Sequence, residues 1–108
     1  MSLRTMKDKQ QERLELDALP NEIDAQPTKW LEQKDKKGDQ CLFVTFDSAQ
    51  GEFVQKYTPY HYADLVKSFE NLGLDGWEEP VNKKIVLHLK KKNYAMGFAR
   101  YLPVSVVS

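Results

Sequence analysis

Residues 58–73 read TPYHYADLVKSFENLG, and this stretch decides the fold. Thr58 is a favoured N-cap, and Pro59 at the first helical position loses no N–H that the helix needs. The spacing predicts a helix from about Pro59 to about Leu72. Tyr62, Leu65, Val66, Phe69 and Leu72 make one apolar face, while His61, Asp64, Lys67, Ser68 and Asn71 fall on the other. Gly73 supplies the permissive backbone that ends it. A one-sided helix needs an apolar partner, and the sequence on either side supplies one.

Upstream, Cys41–Phe46 reads CLFVTF, an apolar, β-branched and aromatic run that predicts a buried strand. Glu52–Thr58 (EFVQKYT) places Phe53, Gln55 and Tyr57 on one face and Val54 and Lys56 on the other. The five residues Asp47–Gly51 between them complete a predicted β-hairpin. Downstream, KIVLHLKKK (Lys84–Lys92) alternates again, and Lys92-Asn93-Tyr94 predicts a turn. Residues 95–107 predict a return strand in which Arg100 and Leu102 face opposite to Ala99 and Tyr101. Pro103 cannot donate to a ladder, which confines that strand to a sheet edge or ends it there.

These elements predict an α+β fold. It is a small antiparallel sheet of order β-β-α-β-β with one packed helix. The predicted domain spans residues 41–108, preceded by a charged N-terminal arm or helix and loop over residues 1–40. Met1–Gln40 holds 8 Lys+Arg and 9 Asp+Glu but one aromatic, Trp30. Arg4–Leu16 is rich in helix formers without a good apolar stripe, which predicts a marginal helix or a solvated arm. Gln33–Gln40 (QKDKKGDQ) predicts an exposed loop. Trp30 and Leu31 are expected to dock on the core.

Composition narrows the possibilities. A chain of 108 residues supports one core. It has no apolar run of about 18 residues and no apolar leader, so neither a membrane span nor a secretory signal is expected. A single cysteine, Cys41, cannot form an internal disulfide. A cytoplasmic location is the corresponding expectation. Cys41, His61 and His88 lack the spacing of a metal site; His61 reads as exposed, and His88, on the outward face of its strand, as cross-strand hydrogen-bonded or exposed. The five glycines form no phosphate-binding loop. No cofactor and no catalytic set is expected, so the chain reads as a non-enzyme.

The formal charge is zero, but it is unevenly spread. Residues 41–82 hold 2 Lys+Arg against 7 Asp+Glu, whereas residues 83–108 hold 6 Lys+Arg and no acid. Basic residues interleaved with aromatics are the footprint of a nucleic-acid surface. Lys84, Lys90, Lys91, Lys92 and Arg100 are the candidate phosphate contacts, with Tyr94 and Tyr101 as stacking candidates. The expectation is a small accessory protein that binds nucleic acid, single strands in preference to duplex. A different reading accounts for the same residues. Lysines also protect edge strands, and Val104, Val106 and Val107 would suit strand addition in a protein-interaction module or homodimer.

Overall fold

The computed structural model describes residues 19–94 and 99–107. Its elements are β1 (Glu22–Lys34), β2 (Gln40–Ser48), β3 (Gly51–Tyr57), α1 (Pro59–Leu72), α2 (Glu78–Asn82), β4 (Leu87–Lys92) and β5 (Arg100–Val106). Among the described residues the α+β class, the antiparallel pairing and one main helix are as the sequence predicts. Helix α1 runs over the predicted residues, from an extended Thr58 to a left-handed Gly73 at φ 71°. The Gly73 and Leu74 N–H groups donate to the carbonyls of Glu70 and Phe69, closing the helix end. The expected N-terminal helix or arm at residues 4–16 lies outside the described residues, as do residues 95–98 of the predicted return strand.

One strand is added to the predicted order. Residues 22–34, assigned by the sequence to the arm and loop, form the longest strand, and it lies in the middle of the sheet. The order is β3-β2-β1-β4-β5. The folded unit therefore begins well before Cys41. β1 escapes recognition because only Ile23, Ala25 and Pro27 of its residues are buried. Its apolar alternation is short and small, and it contains a proline. Pro27 is tolerated because the ladder shifts by one residue between Pro27 and Lys29, leaving Thr28 as the extra residue. β5 is an edge strand, as Pro103 requires, and a second shift lies opposite His88 and Leu89.

The sheet curls until its two edges meet. The Tyr57 hydroxyl on β3 donates to the Tyr101 carbonyl on β5 at 2.6 Å. The Tyr101 N–H donates to Gln55 Oε1 at 3.2 Å. Phe53 and Tyr101 place their ring centroids 5.6 Å apart across the same seam. The result is a five-stranded, partly open barrel. Its interior holds Val44, Phe46, Phe53, Tyr57, Leu87, Leu89 and Tyr101, all fully buried. Leu65 and Phe69 of α1 join this core. Trp77, just before α2, packs edge-on against Phe69 at 4.8 Å and Phe46 at 5.4 Å. One aromatic thus ties the helix to the barrel. Among the described residues no helix is long and apolar enough to cross a membrane.

His61 is not exposed, whereas His88 makes the cross-strand hydrogen bond that the sequence allows. His61 is buried in the first turn of α1, where its Nδ1 accepts the Thr58 N–H at 3.0 Å. It fills the role that Glu or Gln plays in a capping box, which requires an unprotonated Nδ1. Burial first, then the Arg100 charge, lowers its pKa. His88 on β4 lies opposite Asp24 on β1 and contacts its carboxylate at 2.6 Å and that of Glu22 at 3.1 Å. The hydrogen bonds with Asp24 and then Glu22 raise its pKa. The signs are opposite. The His88 contribution is complete below the unfolded value of 6.5 and is lost as pH rises through its higher folded value. The His61 contribution is complete above 6.5 and is lost as pH falls through its lower folded value. His88→Gln is therefore expected to lower the urea midpoint more at acid pH than at pH 8. His61→Gln, which keeps an acceptor, is expected to flatten the acid side of the stability profile. A His88→Gln effect that grows with pH would contradict this assignment.

Candidate nucleic-acid interface

The turn joining β1 to β2 is built around one carboxylate. Asp35 Oδ1 accepts the N–H groups of Lys37 and Asp39 at 2.9 and 3.0 Å. Asp35 Oδ2 receives Lys56 Nζ at 3.2 Å and the Cys41 thiol at 3.6 Å. Gly38 adopts φ 85°, and its N–H donates to the Asp35 carbonyl at 3.0 Å. These bonds, chiefly the Asp39 N–H, hold the Asp35 carboxyl down at about 2. They fix the turn while the exposed side chains of Lys34, Lys36 and Lys37 stand outward.

The outer face of the sheet continues from this turn. Directly opposed residues share a face, so Leu31, Phe43 and Lys56 form one row across β1, β2 and β3. Lys29, Thr45 and Val54 form the next row. Leu31 is 46% exposed and Phe43 is half-buried, so this row is apolar and accessible. Gln33, Phe43, Lys56 and the turn lysines line a groove of about 500 Å³. Leu31 and Trp30 do not dock on the core as the sequence suggests.

A second aromatic and basic patch begins one turn of chain beyond Lys56. Tyr60, at the start of α1, is 64% exposed. Its ring meets Tyr94 at 5.8 Å and His61 at 5.6 Å. The Tyr94 hydroxyl donates to Asp64 Oδ2 at 2.7 Å, and Lys92 Nζ reaches the same oxygen at 2.9 Å. Lys92 also lies 5.2 Å from the Tyr94 ring centre. Desolvation, and then the bond to Asp64, pushes the Tyr94 phenol pKa up, so it stays a neutral donor. Arg100 pairs with Lys92 across β4 and β5 and is half-buried.

The structure sorts the residues singled out from the sequence. It brings Lys92, Tyr94 and Arg100 together beside Tyr60. Lys90 is exposed further along β4 and lines a groove of about 350 Å³ together with Lys91, Lys92, Ser68, Asn71 and Leu102. Lys91 turns inward, its Nζ donating to the Leu19 carbonyl at 2.7 Å and lying 5.4 Å from the Tyr101 ring. Lys84 is exposed in the turn before β4, at φ 56°, and the length of β4 separates it from the other lysines. Tyr101 is the correction. It is a fully buried core residue whose hydroxyl donates to the Pro20 carbonyl, and burial pushes its pKa to about 12. It cannot stack on a base. Its alternation in the sequence was legible, but not which face of the strand pointed inward.

Lys34, Lys36, Lys37, Lys56, Phe43 and Tyr60 do not stand out as a group in the sequence. The signal was present in the KDKK run and in the tyrosines flanking His61. Only the pairing of β1, β2 and β3 brings the first set together. Among the described residues no group of three His, Cys, Asp or Glu side chains could hold a metal ion. Comparison with protein-family models, with curated proteins and with solved structures gives no match.

Proposed function

We propose that this chain is a small protein that binds single-stranded nucleic acid across the end of β3. The observation that carries the reading is the pairing of accessible rings with lysines on both sides of that end. Phe43 lies among Lys34, Lys36, Lys37 and Lys56 on one side. Tyr60 lies against Tyr94 on the other, and Lys92 sits over the Tyr94 ring. Lysines would neutralise phosphates, and the rings would stack on bases, each stack worth roughly 1–3 kcal/mol. Architecture supports the reading by analogy. A five-stranded, partly open barrel resembles the oligonucleotide-binding fold, which uses strands 2 and 3 with the β1–β2 and β4–β5 loops. Apart from Tyr60 on α1, the residues of both patches occupy β2, β3, the two loops and their flanks. Duplex is a poorer ligand for this surface, because α1 carries Asp64 and Glu70 and offers no basic groove-reading face. The binding is electrostatic capture with little sequence readout, without catalysis, as in an accessory protein.

The test is a salt series of fluorescence anisotropy on mixed-sequence single-stranded DNA, RNA and duplex. About five phosphate contacts would give a slope near −3.5 in log affinity against log salt, at about −0.7 per contact. A steep slope with single strands preferred over duplex is expected. A second reading has its own observation. Val104, Val106 and Val107 are 51%, 44% and 50% exposed on and just after the edge strand β5. They suit strand addition by a second copy or another protein. Absence of binding at low salt, together with a dimer mass by light scattering, would replace the nucleic-acid reading with that one.

A further inference from the structure

The opposite face of β1 carries a different surface. Trp30 and Glu32 lie opposite Val44 and Leu42, on the inward-facing side of the β1–β2 ladder. Beyond the edge of the core they form one wall of a cleft of about 600 Å³. Leu42, residues 75–79, Asn82 and Lys83 line the rest of it. That volume lies in the range of ligand-binding clefts, roughly 300–1,000 Å³. Trp30 is 40% exposed, whereas Trp77, which lines the same cleft, is buried. A large indole left open at the mouth of a cleft is the kind of anchor that protein interfaces use.

The charge of the cleft names its occupant. Four carboxylates line it, from Glu32, Asp75, Glu78 and Glu79. Among the described residues the lysine that lines it, Lys83, is already held by Glu79 at 2.8 Å. Glu32, Asp75 and Glu78 are exposed. Nucleic acid is repelled here. We infer that the Trp30 cleft binds a basic peptide segment of a partner protein, in which an arginine or lysine stacks on Trp30 and pairs with Glu32 and Glu78. Guanidinium and ammonium groups are attracted to an indole face, tryptophan being the strongest of the aromatic hosts. A neighbouring aliphatic residue of the peptide would rest on Leu42 and Trp77. Because this cleft and the Leu31–Phe43–Lys56 row face opposite sides of the sheet, the two ligands would not compete for side chains.

Isothermal titration calorimetry with an acetylated, amidated hexapeptide of alternating arginine and leucine tests this directly. Saturable one-to-one binding by the full chain is expected. Trp30→Ala, and separately Glu32→Gln with Glu78→Gln, should each weaken it roughly tenfold or more. All three positions are exposed, and circular dichroism checks that the variants keep the fold. Lys36→Glu with Lys37→Glu, which impairs the proposed nucleic-acid face, should leave peptide affinity within about twofold, because the sites are independent. Absence of saturation would overturn the inference. So would peptide affinity that survives both the Trp30 and the carboxylate changes. Neither result bears on the nucleic-acid reading, which is measured with a different ligand and different variants.

Discussion

Tyr101→Ala is expected to abolish the folded state under mild conditions. The side chain is fully buried at the seam where β3 and β5 meet, against Phe53 and beneath Lys91. Removing a buried ring of this size costs about 3–5 kcal/mol through lost burial and the cavity left behind. The Pro20 carbonyl would also lose its partner. Domains of this size have stabilities of about 5–15 kcal/mol in all, and a small one lies near the lower end. Urea denaturation followed by tryptophan fluorescence should show a midpoint near zero denaturant. Tyr57→Phe, which leaves the packing and orphans the buried Tyr101 carbonyl, should cost less, about 1–3 kcal/mol. A Tyr101→Ala protein that unfolds like the parent would put that ring on the surface and undo the closed seam of the barrel.

The second large effect concerns binding. Reversing Lys36, Lys37 and Lys56 to glutamate is expected to reduce affinity for single-stranded DNA by more than about a hundredfold near 0.1 M salt, since each position that attracted a phosphate would then repel it. Lys56→Glu alone carries a structural cost, because Lys56 also pairs with Asp35. The double variant Lys36→Glu/Lys37→Glu is therefore the cleaner probe and should still lose more than about tenfold. Tyr60→Ala should lose about tenfold through stacking, with little change in salt slope. Lys84→Glu should be nearly silent, since Lys84 stands apart in the turn before β4. Anisotropy at two salt concentrations separates the charge effect from the stacking effect. Equal losses at Lys84 and at Lys36/Lys37 would mean that only net charge matters, and the assigned face would be wrong.

The limits of the sequence follow from these same residues. Helix α1 was legible because its start, its stripe and its stop are each signalled locally, by Thr58-Pro59, by Leu65 and Phe69, and by Gly73, although Val66, expected on the same face, is 56% exposed. β2 and β3 were legible because their inward residues are large. β1 was not. Its inward residues are Ile23, Ala25 and Pro27, its second half leaves the core, and what holds it central is pairing with β2 and β4. Without that strand the candidate site stays hidden, because the row Leu31–Phe43–Lys56 exists only once three strands are aligned. Phe43 read as one more buried residue of CLFVTF, and the KDKK run read as a solvated loop. At the other patch, Lys92, Tyr94 and Arg100 were legible as a basic and aromatic group. Tyr60 and Asp64, which complete it, come from α1 and lie about 30 residues away in the chain. The burial of His61 is not legible locally, because its role as a cap acceptor depends on the extended geometry of Thr58.

Whether single-stranded nucleic acid lies across the end of β3 is tested most directly by backbone amide NMR of the full chain, titrated with an unlabelled oligothymidylate. The largest shifts are expected at Leu31–Gly38, Phe43, Lys56 and Tyr60, with Lys92 and Tyr94 following and Asp75–Asn82 unmoved. Shifts confined to Asp75–Asn82 or to Val104–Val107, or a spectrum that does not change at millimolar ligand, would contradict it.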